Sequence, residues 1–147
     1  MSHSVTLTTL DDAGVAKRLC DYDILPTRQR VQIARVLLAG DQHLCADQVL
    51  GKVKAAGSGV SKATVYNTLG LFADKGILRE VKVDPNRVFY DTNNSEHHHF
   101  YNIDSGELSD IDPGRILVDQ LPEAPEGSVI DSVEVIIRVR QQSIPDV

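Results

Sequence analysis

Three of the chain's five histidines form one triplet, His97-His98-His99. On an extended strand alternate side chains leave the same face, so His97 and His99 can bind one ion while His98 points the other way. Asp91 precedes the triplet and Asp110 follows it. Imidazole and carboxylate donors suit ferrous iron, manganese or zinc, whereas thiolates favour structural zinc or iron–sulfur clusters. This stretch therefore predicts a divalent-metal site, and a solvated histidine-rich loop is the alternative.

The distribution of charge favours two small domains over one compact one. Residues 1–90 hold 12 Lys/Arg against 9 Asp/Glu, whereas residues 91–147 hold 3 against 12, so the net charge of −6 hides a mildly basic first part. A basic domain can bind nucleic acid while its acidic neighbour stays away from phosphate. The acidic total therefore does not exclude DNA as a partner.

The sequence gives no sign of membrane insertion or export. No apolar run approaches membrane-spanning length, and the N-terminus lacks a basic segment followed by an apolar core, so we expect a cytoplasmic protein with no membrane partner. The two cysteines, Cys20 and Cys45, lie far apart and neither belongs to a C-x-x-C pair. This argues against a disulfide framework and against a structural zinc site built from four cysteines.

Four helices are predicted before residue 80, because apolar residues recur there at helical spacing between capping residues and glycines. The predicted helices are Asp11–Asp21, Arg28–Ala39 after the cap Thr27, Ala46–Ala56, and one that begins after Ser61 and ends near Gly76. The segment Asp41–Leu44 is predicted to be a loop.

A β-hairpin is predicted next, since Arg79–Val83 and Arg87–Tyr90 alternate polar and apolar residues around Asp84-Pro85-Asn86. Helices followed by a two-stranded wing predict a winged helix-turn-helix, whose last helix reads base edges while the wing contacts phosphate. The polar residues available on that helix are Ser61, Lys62, Thr64, Tyr66 and Asn67, and those suited to phosphate are Lys62, Arg79 and Arg87. Ordinary protein surface is the alternative interpretation.

Beyond residue 90 the pattern is typical of strands. The predicted strands are Tyr90–Thr92, His99–Ile103, Leu108–Ile111 and a long one at Val129–Arg140, with a short helix at Pro113–Leu121. We therefore expect an α+β protein, with a winged-helix DNA-binding domain at residues 1–90 and a small α+β domain at residues 91–147. Pairing of sheet edges across a two-fold axis would make the second domain a dimerisation unit.

Two stretches resemble a known family. The run Ser61–Leu69, followed by Phe72 and Gly76-Ile77, resembles the recognition-helix signature of the ferric uptake regulator (Fur) superfamily, and Arg87–Tyr101 resembles its metal-binding segment. Thr27–Arg30 is similar to the start of the family's second helix, which adds Arg30 to the DNA-binding candidates. The resemblance covers nearly the whole chain. It implies a homodimeric, metal-responsive transcriptional regulator that binds double-stranded operator DNA.

Carried over to this chain, the resemblance also implies a regulatory metal site. Its ligands are His43, Asp91, His97, His99 and Asp110. An ion bound by all five would tie the two domains together, because His43 belongs to the first. Iron or manganese is the expected metal, with zinc as an alternative in vitro.

Within the superfamily, Asp91 resembles the ligand of the peroxide-sensing PerR branch, whereas Tyr90 stands where many classical iron regulators carry Glu. Other stretches, including the His triplet and Asp110–Pro113, most resemble the iron response regulator (Irr) branch, which is linked to haem sensing. Haem is therefore an alternative signal, although no Cys-Pro motif is present.

Two further features depart from the family pattern. Asn102 and Ser105 stand where many members have the first C-x-x-C pair of a structural zinc site. An accessory metal or haem site would draw on Glu96 and His98, but no later histidine completes it, so solvated surface is their alternative role.

Two other functional classes remain as alternatives. A metal-dependent hydrolase is the first, since a His/Asp cluster with an open coordination position can activate water. The chain has no H-E-x-x-H or comparable catalytic signature, so we expect a protein that is not an enzyme. The second is a metal-storage or interaction module, for which the helical first half would have no evident use.

Overall fold

The computed structural model of the chain describes residues 10–93, 95 and 97–143. They form two compact units, divided between Asn94 and Ser95. The division lies after residue 94, not after residue 90, so Asp91 belongs to the first unit. Within the described residues, no helix combines the length and the apolar composition that crossing a membrane requires.

The described part of the first unit contains four helices, as the sequence predicts. They are α1 at Asp12–Asp21, α2 at Arg28–Leu37, α3 at Ala46–Ala55 and α4 at Lys62–Lys75. The side chains of Asp11, Thr27 and Ser61 cap α1, α2 and α4 by accepting a backbone N–H of the first turn. Gly76 ends α4 with φ +86°, a left-handed conformation that costs glycine little.

Helix α2 ends at Leu37, earlier than the predicted Ala39. The side-chain amide of Gln42 donates hydrogen bonds to the carbonyls of Val36 and Leu37, at 2.9 and 3.1 Å. These bonds satisfy carbonyl groups that a helix end otherwise leaves unpaired. The chain can therefore leave the helix at this point.

The wing is a three-stranded antiparallel sheet of order β1-β3-β2. Its strands are β1 at His43–Cys45, β2 at Arg79–Asp84 and β3 at Arg87–Asp91. The predicted hairpin corresponds to β2 and β3, and the predicted strand at Tyr90–Thr92 is largely the end of β3. The predicted loop at Asp41–Leu44 was wrong in its second half, because β1 pairs with β3 there. A strand of three residues is too short for its alternation to show in the sequence.

The second unit contains a three-stranded sheet of order β5-β4-β6. Its strands are β4 at His98–Asn102, β5 at Leu108–Ile111 and β6 at Ile136–Val139. Strand β4 is antiparallel to β5 and parallel to β6. Because β4 has only five residues, its pairing with β6 is short.

Two predictions for the second unit were wrong. The predicted helix Pro113–Leu121 is only a 3₁₀ turn at Pro113–Arg115, since Gly114 and the β-branched residues that follow disfavour a helix. The predicted strand Val129–Arg140 is reduced to β6, because strand pairing to β4 is limited to the residues facing His99–Asn102.

The apolar core lies in the first unit. One cluster joins buried side chains of all four helices to the wing, among them Leu19, Ile33, Val49, Phe72 and Tyr90. The core places α4 firmly against the other helices, because Val65, Leu69 and Phe72 on one face of α4 are almost completely buried. The opposite face of α4 is left in solvent. The α+β class predicted from the sequence is confirmed.

Candidate functional site

In the first unit, His43 and Asp91 form a pair across two neighbouring strands. They are directly opposite each other in the register of β1 and β3, a position that brings side chains on one face within reach of each other. The His43 Nε2 and Asp91 Oδ2 atoms are 3.1 Å apart. The Asp91 Oδ1 atom accepts the backbone N–H of Asn93 at 2.8 Å, and the Asp91 side chain is only 1% exposed. One carboxylate oxygen is thus held by the chain while the other faces an imidazole.

In the second unit, His97, His99 and Asp110 converge. His99 is directly opposite Asp110 in the register of β4 and β5, and His97 lies two residues before His99. The Asp110 Oδ1 atom is 3.0 Å from His97 Nε2 and 3.3 Å from His99 Nε2. The two rings have centroids 4.4 Å apart. Their side chains are 3% and 0% exposed, so two imidazoles and one carboxylate are concentrated in a place that excludes most water.

This group fits a divalent metal ion by the chemistry of its donors. One ligand atom from each of His97, His99 and Asp110 lies within 4.8 Å of the others. The His97 Nδ1 atom is 2.7 Å from the Ser95 carbonyl oxygen, which can accept a proton bound at Nδ1. Such a bond fixes the tautomer and makes Nε2 the nitrogen that can bind metal. Nitrogen and carboxylate donors of this kind suit iron, manganese or zinc.

Glu96 and His98 are the residues predicted for an accessory metal or haem site. Glu96 lies outside the described residues. The His98 Nδ1 atom accepts the backbone N–H of Val135 at 3.0 Å, so this nitrogen holds the chain just before β6 next to β4. His98 therefore has a structural contact that the sequence did not suggest.

The predicted DNA-reading residues lie on α4, and several of them are exposed. Ser61 and Thr64 contact each other at the start of the helix, where the Ser61 hydroxyl also accepts the Thr64 backbone N–H. These two residues therefore build the end of the helix. Lys62, Tyr66 and Asn67 extend from its N-terminal half into solvent, which is where a recognition helix contacts base edges.

A polar contact between two helices fixes Tyr66. Its hydroxyl donates a hydrogen bond of 3.0 Å to Asp47 Oδ1 on α3, and this bond raises the pKa of Tyr66 above its ordinary value. The Lys62 ammonium lies 3.9 Å from the same oxygen and 5.6 Å from the centroid of the Tyr66 ring. The phenol is therefore protonated at neutral pH, with its hydrogen directed at a carboxylate.

Two of the three predicted arginines, Arg30 and Arg87, occupy distinct places in the first unit. The Arg30 guanidinium donates a 3.0 Å hydrogen bond to the Leu25 carbonyl, so it also holds the loop before α2. The Arg87 guanidinium lies 5.1 Å from the centroid of the Phe89 ring, close to the turn of the wing. A guanidinium at this distance from an aromatic ring makes a cation–π contact.

Sequence reasoning missed three positions that contact these groups. Asp47 binds Tyr66, the Ser95 carbonyl faces His97, and Glu134 Oε1 lies 3.1 Å from His99 Nδ1. Glu134 gave one usable signal, since it is the only acidic residue within the apolar run Val133–Ile137. The other two contacts depend on folding and leave no mark in the sequence.

Comparison with known proteins adds a family. The sequence model described as the ferric uptake regulator family matches residues 23–138. The peroxide-responsive repressor PerR of Staphylococcus epidermidis is 31% identical over 102 residues, which cover 69% of this chain and 67% of that protein. The peroxide-responsive repressor PerR of Staphylococcus aureus is also 31% identical over 102 residues.

Solved structures of ferric uptake regulators have a similar fold. The regulator of Francisella tularensis, solved with iron, is similar with a TM-score of 0.62 and 26% identity, covering 79% of this chain and 90% of that chain. The regulator of Pseudomonas aeruginosa, solved with manganese, has a TM-score of 0.67 and 22% identity, covering 86% and 97%.

Proposed function

The chain belongs to the ferric uptake regulator family, and we propose that it is a homodimeric, metal-responsive transcriptional regulator that binds operator DNA in the cytoplasm. The observation that carries the metal response is the convergence of His97 Nε2 and His99 Nε2 on one oxygen of Asp110. Two buried imidazoles beside one carboxylate form a ligand set, and their register on β4 and β5 makes it a property of the fold.

We propose further that one ion takes ligands from both units. The set is the one expected from the sequence: His43, Asp91, His97, His99 and Asp110. In support, each unit contributes its own histidine–aspartate pair from directly opposed strand positions. A bound ion supplies a common positive centre for these ligands. Binding would favour the arrangement of the units in which all five ligands are satisfied.

The DNA-binding part of the proposal rests on α4 and the wing. Tyr66 and Asn67 would contact base edges, while Lys62, Arg30 and Arg87 would contact phosphate, with Ser61 and Thr64 at the start of the helix. The buried face of α4 holds the helix on an apolar core, so its exposed face is presented as a rigid surface.

Dimer formation is supported by the surface of the second unit. Among the described residues, seven of the nine large apolar side chains that are exposed lie between Ile103 and Ile137. A second copy of the chain would cover such a surface across a two-fold axis. The two copies would then present two α4 helices to two operator half-sites.

The comparisons and the site chemistry rank the candidate effectors of the regulator. Solved regulators of this fold contain iron or manganese, and the sequence relatives are named as peroxide-responsive. We propose ferrous iron or manganese as the effector, with zinc binding in vitro and with peroxide acting on the iron-loaded form. Haem is the weaker candidate, because the nitrogen His98 Nδ1 already accepts a backbone hydrogen bond.

The test begins with selection of binding sites from random duplex DNA by the full-length protein. Binding to the selected operator is then measured for the metal-free protein and with ferrous iron, manganese, haem, or iron followed by peroxide. Asp110→Asn should remove the response to metal, whereas Asp112→Asn, an exposed aspartate two residues away, should keep it. An unchanged response in Asp110→Asn would contradict the proposed metal centre.

The same purified proteins also test the alternative that the chain is a metal-dependent hydrolase. The comparisons favour a regulator, since the family and the curated relative are regulatory proteins. Metal-loaded protein should shift operator DNA without consuming ester, phosphoester or peptide substrates. Turnover that disappears in Asp110→Asn and persists in Asp112→Asn would favour the hydrolase.

A further inference from the structure

A carboxylate outside the expected ligand set lies against one of the ligands. Glu134 Oε1 and His99 Nδ1 are 3.1 Å apart. His99 is completely buried, the Glu134 side chain is 24% exposed, and the two facing atoms are shielded from solvent. The two atoms are at ion-pair distance, although the pair is not aligned as a hydrogen bond in this structure.

The position of Glu134 around the ring separates it from the ligands. The His99 Nε2 atom faces Asp110 Oδ1, and Nδ1 faces Glu134. Glu134 is therefore near the ring nitrogen that does not face Asp110, and it is not among the residues whose ligand atoms converge within 4.8 Å of one another. An ion bound at Nε2 would be out of reach of Glu134. The carboxylate is therefore placed to act on the ligand and not on the metal.

His97 has a matching arrangement with a weaker acceptor. Its Nε2 atom also faces Asp110, and its Nδ1 atom faces the carbonyl oxygen of Ser95. In both histidines Nε2 faces Asp110 and an oxygen atom lies near Nδ1, at 2.7 Å for His97 and 3.1 Å for His99. A carboxylate is a stronger acceptor than a carbonyl, so His99 would be the more strongly polarised ligand.

The backbone explains how Glu134 reaches this position. The residue after it, Val135, is bound to β4 through both of its backbone polar groups. Its carbonyl accepts the His99 N–H at 3.1 Å, and its N–H donates to His98 Nδ1 at 3.0 Å. These two bonds hold Glu134, which lies two residues before β6, beside the ring that it contacts.

We propose that Glu134 is a positioning residue of the metal centre. It holds His99 with the proton on Nδ1 and Nε2 directed at the ion, and it increases the basicity of that nitrogen. The proposal rests on the metal-binding function proposed above. Loss of such an outer partner typically lowers metal affinity about 10- to 100-fold while all direct ligands remain.

The experiment compares Glu134→Ala, Glu134→Gln and Glu134→Asp with the unaltered full-length protein. Each metal-free protein is titrated with Co²⁺ against a competing chelator, and the visible absorption of bound Co²⁺ is recorded. Glu126→Ala is the matched control, because it removes one exposed carboxylate from the same unit. Thermal unfolding of the metal-free proteins shows whether each variant folds.

We expect Co²⁺ to bind Glu134→Ala about 10- to 100-fold more weakly, with an altered visible spectrum. Glu134→Gln, nearly identical in shape and able to accept from Nδ1–H, should recover part of the affinity. Glu126→Ala should match the unaltered protein in both measurements. The near-isosteric Gln variant keeps the test informative if Glu134→Ala does not fold.

Two outcomes would overturn the positioning role while leaving metal binding intact. One is unchanged Co²⁺ affinity and spectrum in Glu134→Ala and Glu134→Gln. The other is an equal loss in Glu126→Ala, which would show a general effect of charge. Failure of the unaltered protein to bind Co²⁺ would instead overturn the proposed metal function itself, and this proposal with it.

Discussion

The described part of the first unit has an apolar core of 17 buried residues, which come from four helices, the wing and the segments between them. The described part of the second unit buries only three large apolar side chains, those of Tyr101, Leu108 and Ile111. It also buries His99 in this sheet and His97 just before it, and the polar nitrogens of both side chains need partners. The first unit can therefore fold by apolar burial, whereas the second has a polar centre whose stability depends on what it binds.

The two units also differ in the apolar side chains on their surfaces. Leu117 and Val129 in the second unit are 86% and 88% exposed, whereas the large apolar side chains exposed in the described part of the first unit are those of Leu25 and Tyr66. Tyr66 has a proposed partner in DNA. The second unit therefore has buried polar groups and exposed apolar side chains, which the proposed metal ion and the proposed second copy of the chain would cover.

The largest effect should follow from damage to the core of the first unit. Phe72→Ala removes a ring that is 1% exposed, and we expect it to lower the free energy of unfolding by about 3–5 kcal/mol. Leu117→Ala, in the second unit, should change it by less than about 0.5 kcal/mol at concentrations where the chain is monomeric. Denaturant unfolding followed by circular dichroism measures both. Similar losses in the two variants would remove the contrast between the units.

The next effect concerns the polar centre of the second unit. Manganese at about 100 times its dissociation constant should stabilise the bound state by about 2.7 kcal/mol. Hydrogen exchange measured by mass spectrometry should show this as slower exchange in β4 and β5. Asp110→Asn should lose the protection and Asp112→Asn should keep it. Equal protection in both variants would mean that the ion binds elsewhere.

The helices were the most predictable part of the fold. Asp11, Thr27 and Ser61 are strong capping residues and Gly76 is a strong helix end, so local chemistry alone marks these boundaries. Strand β1 could not be found, because its three residues become a strand only by pairing with β3. The strand predicted at Val129–Arg140 was wrong in its length for a related reason. Strand β6 forms only where its residues pair with β4.

The candidate site was predictable in its residue types and less so in its contacts. His97 and His99 stand out by spacing, and strand alternation explains why both turn to one side. Asp110 needed the family resemblance, because its place opposite His99 is set by the β4–β5 register. Glu134 was missed, since only the parallel pairing of β6 brings it beside a residue 35 positions earlier.

Sequence discrimination should show a smaller effect, centred on Tyr66. Loss of one base contact costs about 1–3 kcal/mol, so Tyr66→Ala should lower the ratio of specific to nonspecific affinity by about tenfold. Tyr66→Phe separates the hydroxyl from the ring, and Asp47→Asn removes the charge that accepts the hydroxyl hydrogen. Competition binding with selected and random duplexes gives the ratio. If Tyr66→Ala weakens all duplexes equally, α4 is not the reading helix.

The smallest effect should come from a single phosphate contact by Lys62. Its ammonium group is exposed at the first residue of α4, where it is held near Asp47 and over the Tyr66 ring. Each phosphate contact releases condensed counterions, so Lys62→Ala should flatten the slope of log affinity against log salt by about one unit and leave the specificity ratio unchanged.

Lys75 offers a matched control for this measurement. It is exposed at the last residue of the same helix, about 20 Å from Lys62 at the usual helical rise. Lys75→Ala removes the same charge from the end of α4 that should not contact the duplex. Its salt slope should equal that of the unaltered protein, because a distant charge releases no counterions on binding. Equal slopes for Lys62→Ala and Lys75→Ala would show that the N-terminal end of α4 does not approach DNA, and the docking of the first unit through this helix would be wrong.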